Sequence, residues 1–437
     1  MRVRMVVTTA VTAVAVLAGA CGNSSNSGDS GAGGADPADG AGDQVAVDAP
    51  GVTDTEIHVE GIASITNPLG GKYDTADDGV EAYFAMVNDE GGVHGRDLVL
   101  DGVRDDKAVN NSAEVKGLID ANAAFAVLPV ATLLFTGADQ LAASGIPTFG
   151  WTINPEWQGT EDDQKLNLFG QGGSFLCLGC AQPYPPYIAA ESGRTTLGLL
   201  AYTVPQSADC LEGWDRSIEE WGGPAGAEVA FRDASLAFGT TDLSVQVQKM
   251  KTAGVDLVAT CMDNNGVVTL AKEMKKQGLD AIQLLPNAYD QSFVEEFGDL
   301  FEGSWIIMGF APLETPEDLR PEGLELYEQW IDSTGGEQTE NSLVGWLNAG
   351  LFVEGLRKAG PDFDRQKVTD AINSITDYTA DGLLPSLNWA EYGHYQREPV
   401  QCSAYLRIED STFVPTEDDR IFTCFDVTGD ELEKIDE

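Results

Sequence analysis

Cys177-Leu-Gly-Cys180 is the tightest cluster of reactive side chains in this 437-residue sequence. A CxxC pair can bind zinc, cycle between dithiol and disulfide, or close as a structural bridge. Zinc would need a second such pair or converging histidines. The three histidines (His58, His94 and His394) are scattered, so no metal site is expected. A redox pair belongs in a thioredoxin-like order of elements, and none surrounds this one. Setting Cys21 aside leaves an even number of cysteines, which in an exported chain reads as disulfides. Six cysteines allow 15 pairings, and Cys402 with Cys424, which flank an expected terminal hairpin, is the best-supported pair. Cys177 closing on Cys180 then leaves Cys210 for Cys261.

Other catalytic signatures fail on context. Gly28-Asp29-Ser30-Gly31 matches the nucleophile motif of chymotrypsin-type proteases, but no core surrounds it. No G-x-S-x-G, H-E-x-x-H or Walker-type glycine loop is present. The 71 acidic residues hide any one catalytic carboxylate pair, which leaves a secreted hydrolase as an alternative without named residues. The sequence is therefore read as no enzyme, with no cofactor.

The N-terminus reads as an export signal over residues 1–20. Arg2 and Arg4 precede an apolar run, Met5 to Leu17, that is too short to span a bilayer. Ala18-Gly19-Ala20-Cys21 resembles a bacterial lipobox, so lipidation of Cys21 and attachment to the outer face of the cell membrane are expected. Ala18-Gly19-Ala20 also satisfies the rule for simple cleavage. Residues 21–50 are small and polar, cannot offset their own ordering entropy, and read as a flexible tether. The net charge of −46 excludes nucleic acid and anionic lipid as partners. It reads as a solubilising surface, or as one that recruits cations or a basic partner.

The remaining chain, about 385 residues, is long enough for two cores. Its pattern alternates strands and helices. Strands are expected at Glu56–Ile62, Asp97–Val103, Phe125–Val130 and Thr148–Trp151, with helices at Thr75–Glu90, Ala113–Ala121 and Phe135–Ala143 between them. A second series has strands at Thr196–Tyr202, Glu228–Arg232, Asp256–Cys261, Ala281–Leu285 and Trp305–Phe310. Its helices are expected at Ala208–Trp221, Leu243–Thr252, Val267–Gln277 and Ser292–Phe297. Three helices follow, Pro316–Ser333, Ser342–Ala359 and Arg365–Ser374. Two strand-like pieces, Gln401–Ile408 and Ile421–Phe425, close the chain with a turn between them. This βαβα rhythm implies mostly parallel sheets flanked by helices, with a ligand where strand C-termini of two lobes face each other.

Four stretches carry a resemblance. They are Gly51-Val-Thr-Asp-Thr-Glu-Ile-His-Val59, Gly79 to Arg96 with its Asn88-Asp-Glu-Gly-Gly-Val-His-Gly-Arg96 ending, Leu343 to Gly360, and Leu387-Asn-Trp-Ala-Glu-Tyr-Gly-His394. In order and spacing they resemble the leucine/isoleucine/valine-binding proteins, type I periplasmic receptors of ABC importers. The resemblance implies an α/β fold of two Rossmann-like lobes, 51–172 plus 311–383 and 173–310 plus 384–437. The three crossovers would fall near Gly170–Ser174, Phe310–Pro312 and Leu383–Leu387. It further implies a monomer that binds a small solute, by default a branched-chain amino acid or a related carboxylate or amide, and docks on a membrane permease. The same clamshell can also serve a sensing receptor without transport.

The resemblance also carries a ligand set. Thr132 and Thr152 would donate hydroxyl hydrogen bonds to a ligand carboxylate, and Trp151 would stack on an apolar or cationic group. Tyr202 and Gln206 stand where the family often has Tyr-Gly. Asn264, Asn287 and Tyr289 offer donors and acceptors at the same edge, and Asp263 or Asp290 would neutralise an ammonium group. Each position has a structural reading as well: a Thr or Asn after a strand is often an N-cap, and loop aromatics often serve as anchors.

Overall fold

Val80, Tyr83, Phe84 and Val87 lie on one helical face, and burial of that face builds the first layer of the protein. The computed structural model describes residues 45–67, 71, 73–173, 176–391, 394–395 and 401–435. The export signal, Cys21 and the tether up to residue 44 lie outside the described residues, as do Ser174, Tyr392 and Gly393. The fold belongs to the unit Gln44–Glu437.

The first series is β1 (Glu56–Ala63), α1 (Thr75–Asp89), β2 (Asp97–Asp105), α2 (Asn111–Ala121), β3 (Ala126–Ala131), α3 (Ala138–Ser144), β4 (Thr148–Gly150) and β5 (Leu168–Gly170). Its five strands are parallel, in the order β2-β1-β3-β4-β5. The middle strand β3 is buried along its whole length, which accounts for its unbroken apolar run.

The second series is α4 (Tyr184–Ser192), β6 (Thr196–Tyr202), α5 (Pro205–Trp221), β7 (Glu228–Leu236), α6 (Ser244–Ala253), β8 (Leu257–Cys261), α7 (Asn264–Gln277), β9 (Ile282–Leu285), α8 (Gln291–Phe297) and β10 (Trp305–Met308). Its strands run β7-β6-β8-β9-β10, again parallel, and repeat the first order strand for strand. Three helices follow: α9 (Glu322–Thr334), α10 (Glu340–Ala359) and α11 (Arg365–Ile372). They return to the first sheet, where α10 packs on α1, β3 and β4. The chain then crosses again to add β11 (Cys402–Glu409), β12 (Thr412–Pro415), β13 (Thr423–Asp426) and β14 (Glu433–Ile435) antiparallel to the second sheet.

Each sheet has a core on one face, Ile62, Val127 and Leu141 in the first and Leu197, Leu199 and Trp214 in the second. A third, larger cluster runs through the other faces of both. All three expected disulfides are formed, Cys177–Cys180, Cys210–Cys261 and Cys402–Cys424.

Four differences from the sequence reading have local causes. β5 is too short to carry a periodic signal. α4 begins Tyr184-Pro-Pro, and those prolines sit in its first turn, where a missing N–H costs nothing. The helix expected from Pro316 starts only at Glu322, because Pro321 disfavours helical backbone in the residue before it. Between the last two expected strands lies β12, joined to β11 by Asp410 and Ser411 with φ of 51° and 60°. Cys402 therefore faces Cys424 across neighbouring strands β11 and β13 rather than across a hairpin end.

Residues 45–50, read as the end of the tether, are tied down. Buried Arg96 donates from Nη2 to the Val45 carbonyl (2.8 Å) and from Nε to the Thr53 carbonyl (2.8 Å).

Glycines set the closest helix contact. A Cβ on Gly79 would stand 1.7 Å from the Ser342 carbonyl oxygen, and one on Gly345 would stand 1.9 Å from that of Ala76. Gly79→Ala should therefore force α1 off α10 and lower unfolding free energy by about 1–3 kcal/mol through overpacking. A denaturant titration should show this as a lower midpoint at unchanged slope; an unshifted midpoint would show that the helices have slack.

Candidate functional site

Parallel sheets of this order open a crevice where the connections leave the central strands in opposite directions. Here those points are the C-terminal ends of β1 and β3 in one sheet and of β6 and β8 in the other. One cavity, about 990 Å³ with its open mouth included, joins the loops at these ends. Leu133 and Trp151 enter it from the first sheet. Tyr202, Phe238, Asp263 and Asn287 enter from the second, and Glu340 enters from the start of α10.

Eight residues expected from the sequence line this cavity: Trp151, Tyr202, Gln206, Asp263, Asn264, Asn287, Tyr289 and Asp290. Thr132 and Thr152 do not line it. Both are buried, and Thr132 Oγ1 faces the Ile62 carbonyl (3.4 Å). Thr152 packs toward β5, so close that a Cβ on Gly170 would stand 2.2 Å from its methyl group. A loop position gives no sign of which way its side chain turns, and these two turn into the sheet. Sequence reasoning missed Tyr73, Phe238 and Glu340. Glu340 did carry a signal, since Thr339-x-x-Ser342 is a capping box that places the next residue at a helix start.

Asp263 organises the second-sheet wall. As N-cap of α7 its Oδ1 accepts from Asn265 N (2.9 Å) and Gly266 N (3.1 Å). Its Oδ2 accepts from the Tyr202 hydroxyl at 2.6 Å. Burial, with the Asp263 charge and hydrogen bond, holds the Tyr202 phenol well above its ordinary range. Asp290 caps α8 in the same way, accepting from Phe293 N (3.1 Å) and Ser292 Oγ (2.6 Å). The Cys210–Cys261 bridge lines the cavity and ties the start of α5 to the end of β8. Beside it Ser207 Oγ accepts from Tyr202 N (2.8 Å) and donates to the Cys261 carbonyl.

Aromatic rings make up much of the remaining wall. Tyr73 and Trp151 lie with ring centroids 6.3 Å apart, and Tyr202 meets Phe238 edge-on at 5.5 Å. Tyr289 turns its hydroxyl away to Glu314 Oε2 (2.7 Å), so it offers the cavity its ring. Hydrogen bonds span the gap: Gln206 Nε2 donates to the Leu133 carbonyl at 3.0 Å, and Glu340 N donates to the Tyr289 carbonyl at 3.3 Å. Among the described residues no lysine, arginine or histidine lines the cavity, and no cluster of His, Cys, Asp and Glu could hold a metal ion.

Glu340, unlike Asp263 and Asp290, caps no helix; among the described residues its carboxylate has a backbone hydrogen bond from Tyr289 and no ion pair. Burial, then the charge of Asp290, pushes its carboxyl up to about 8. Asp77 on α1 is likewise pushed up to about 8 by burial and neighbouring acids. An acid whose folded-state value lies above its unfolded value stabilises the fold at low pH. That stability is lost as pH rises from about 4.5 to about 8. Thermal unfolding should therefore show Tm falling across this window, and Glu340→Gln should flatten the fall while Asp77 preserves part of it. An unchanged slope in the variant would show that Glu340 is already ionised in the folded protein.

The profile of the periplasmic binding protein family matches residues 62–412. No curated protein matches the sequence. Among solved structures, the Brucella ovis protein that binds leucine, isoleucine, valine, threonine and alanine, in its closed conformation, is similar over 83% of this chain and 94% of its own. Its TM-score is 0.67 at 15% identity. A fatty acid ABC transporter substrate-binding protein from Thermomonospora curvata covers 85% of this chain and 93% of its own, with TM-score 0.63 and 18% identity. A solute-binding protein of an ABC transporter from R. palustris, in complex with benzoate, covers 83% and 95%, with TM-score 0.65 and 14% identity. At such identities these likenesses speak for the fold, while the profile spans most of the chain. The chain belongs to the periplasmic binding protein family, the solute-binding proteins of ABC transporters, which are not enzymes.

Proposed function

We propose that this chain is the extracytoplasmic receptor of an ABC importer and binds a small solute in the cavity between two closing lobes. The lobes are 51–172 plus 311–383 and 173–310 plus 384–437. Lipid on Cys21 would hold the monomer at the outer face of the membrane, with the segment up to residue 44 as its tether.

One observation carries the reading: the cavity lies at the strand C-termini of two sheets that share one strand order. A ligand there touches loops of both series. It favours the closed arrangement by as much as its contacts differ between open and closed forms. The Gln206–Leu133 and Glu340–Tyr289 hydrogen bonds are such contacts made without ligand. The closed form then presents a surface to the permease. Solutes of the neighbours, amino acids in one, benzoate in another, leave the class of solute to this chain's own lining.

The test begins with native mass spectrometry of freshly purified protein to find a co-purified small molecule. Titration of that molecule should compact the protein in solution scattering. Trp151→Ala should weaken its binding by about 1.5–3 kcal/mol through lost apolar contact, and Asn264→Ala by about 1–3 kcal/mol if its amide is buried against the ligand. Thr132→Val, outside the lining, should leave affinity unchanged. Scattering curves that stay constant across a broad metabolite panel would refute a closing receptor.

A further inference from the structure

The cavity offers an anion little to hold. Helix starts are the usual seat for a ligand carboxylate, because their first N–H groups are free and their dipoles favour negative charge. The helix starts on the cavity wall are already served from within the chain. Asp263 takes two N–H groups of α7, Asp290 takes one of α8, and Thr339 Oγ1 takes Ser342 N of α10 at 3.1 Å. α5 opens with Pro205, which has no N–H, and its Ser207 and Ala208 N–H groups bond the Val204 carbonyl. After β3, the Leu133 N–H is held by Ser64 Oγ at 3.1 Å. The hydroxyls of Thr132 and Thr152 point elsewhere.

What the lining offers is the opposite. Three acids, Asp263, Asp290 and Glu340, stand among the rings of Tyr73, Trp151 and Tyr289. Aromatic faces carry negative quadrupole charge and attract cations. Two of the acids already cap helices. Glu340 does not, and among the described residues its carboxylate meets the Tyr289 backbone N–H but no cation. An acid drawn out of water with no cation beside it awaits either a proton or a cation.

We propose that the cavity selects an organic cation, an ammonium-bearing solute with an apolar body, whose charge pairs with Glu340 beside the Tyr73 and Trp151 rings. The inference rests on reading the cavity as the solute site. Binding would displace a proton from Glu340, whose carboxyl stands near 8 before the ligand arrives. The groups facing it are Asp290 from α8 and the Tyr73 phenol ahead of α1, with Asp263 across the cavity. Asp290 and Asp263 are acids that add to the pull on a cation. The Tyr73 phenol is held above its ordinary range by burial and by the charges of Asp263 and Glu340, so it stays neutral.

The test is calorimetric titration of the full chain, stripped of any bound solute by unfolding and refolding with its disulfides intact. Hexylammonium is compared with hexanoate, 2-phenylethylammonium with 3-phenylpropanoate, and L-leucine is run beside them. The expected result is that at least one ammonium probe binds and its matched carboxylate does not. Its affinity should rise at least tenfold from pH 6 to pH 9, with proton release visible as buffer-dependent heat at pH 7. Glu340→Gln should weaken the ammonium probe at least tenfold and abolish the proton release, while a cooperative thermal transition shows the variant folded. Carboxylate or leucine binding that Trp151→Ala removes, with no ammonium binding, overturns the cation assignment and leaves the receptor reading in place. Ammonium binding that Glu340→Gln leaves intact overturns the role of that acid. Failure of every probe overturns the assignment, and the scattering panel then decides separately whether the chain is a receptor.

Discussion

A helix that begins inside a closed, largely apolar space must have its first N–H groups answered, because a buried donor without an acceptor costs about 1–3 kcal/mol. This constraint governs the cavity. In a parallel sheet the strand C-termini and the following helix starts lie on the same edge, so any crevice there is ringed with unmet donors. A receptor can leave them for its ligand or answer them itself. This chain answers them itself, with Asp263, Asp290 and Thr339. That choice fixes the wall, because Asp263 also holds the Tyr202 hydroxyl and so sets the ring beside Phe238.

The consequence is electrostatic. A carboxylate that caps a helix puts negative charge where a ligand anion would otherwise sit. Two like charges 4 Å apart repel by about 4 kcal/mol at the effective dielectric typical near protein surfaces. That is comparable to the binding energy of many small contacts, so capping and ligand choice are not independent. Glu340 shows the other side of the same balance. Its carboxyl lies near 8 because water has been removed and nothing positive has replaced it.

Much of the fold was legible because its signals are local and periodic. α1 shows its buried face at Val80, Tyr83, Phe84 and Val87, and β3 shows its depth by an unbroken apolar run. Spacing left the disulfide pairing open among 15 possibilities, and the three favoured pairs are the ones formed. β5, β12 and β14, each three or four residues long, were not legible. The site was legible in part for a geometric reason. Strand-to-helix loops in such sheets must gather at one edge, so element order together with the family resemblance could place Tyr202, Asp263, Asn287 and Asp290 at that edge. Direction could not. Thr132 and Thr152 stand in the right loops and turn inward, and Glu340 arrives from a helix that crosses back from far along the chain.

The charge of the whole chain bears on the same point. With 25 basic residues against 71 acidic ones, the molecule sits in a negative field that salt screens within about 10 Å. Such a field cannot select among solutes at the binding step, but it raises the local concentration of cations at the mouth of a cleft and lowers that of anions. A receptor for anions with this surface would need a positive patch at its site to overcome the approach penalty. The described lining supplies none. Surface field, capped helix starts and the Glu340 carboxyl, with no cation beside it, therefore act in one direction. The aromatic rings then give the apolar part of the solute somewhere to go once its charge has been drawn in.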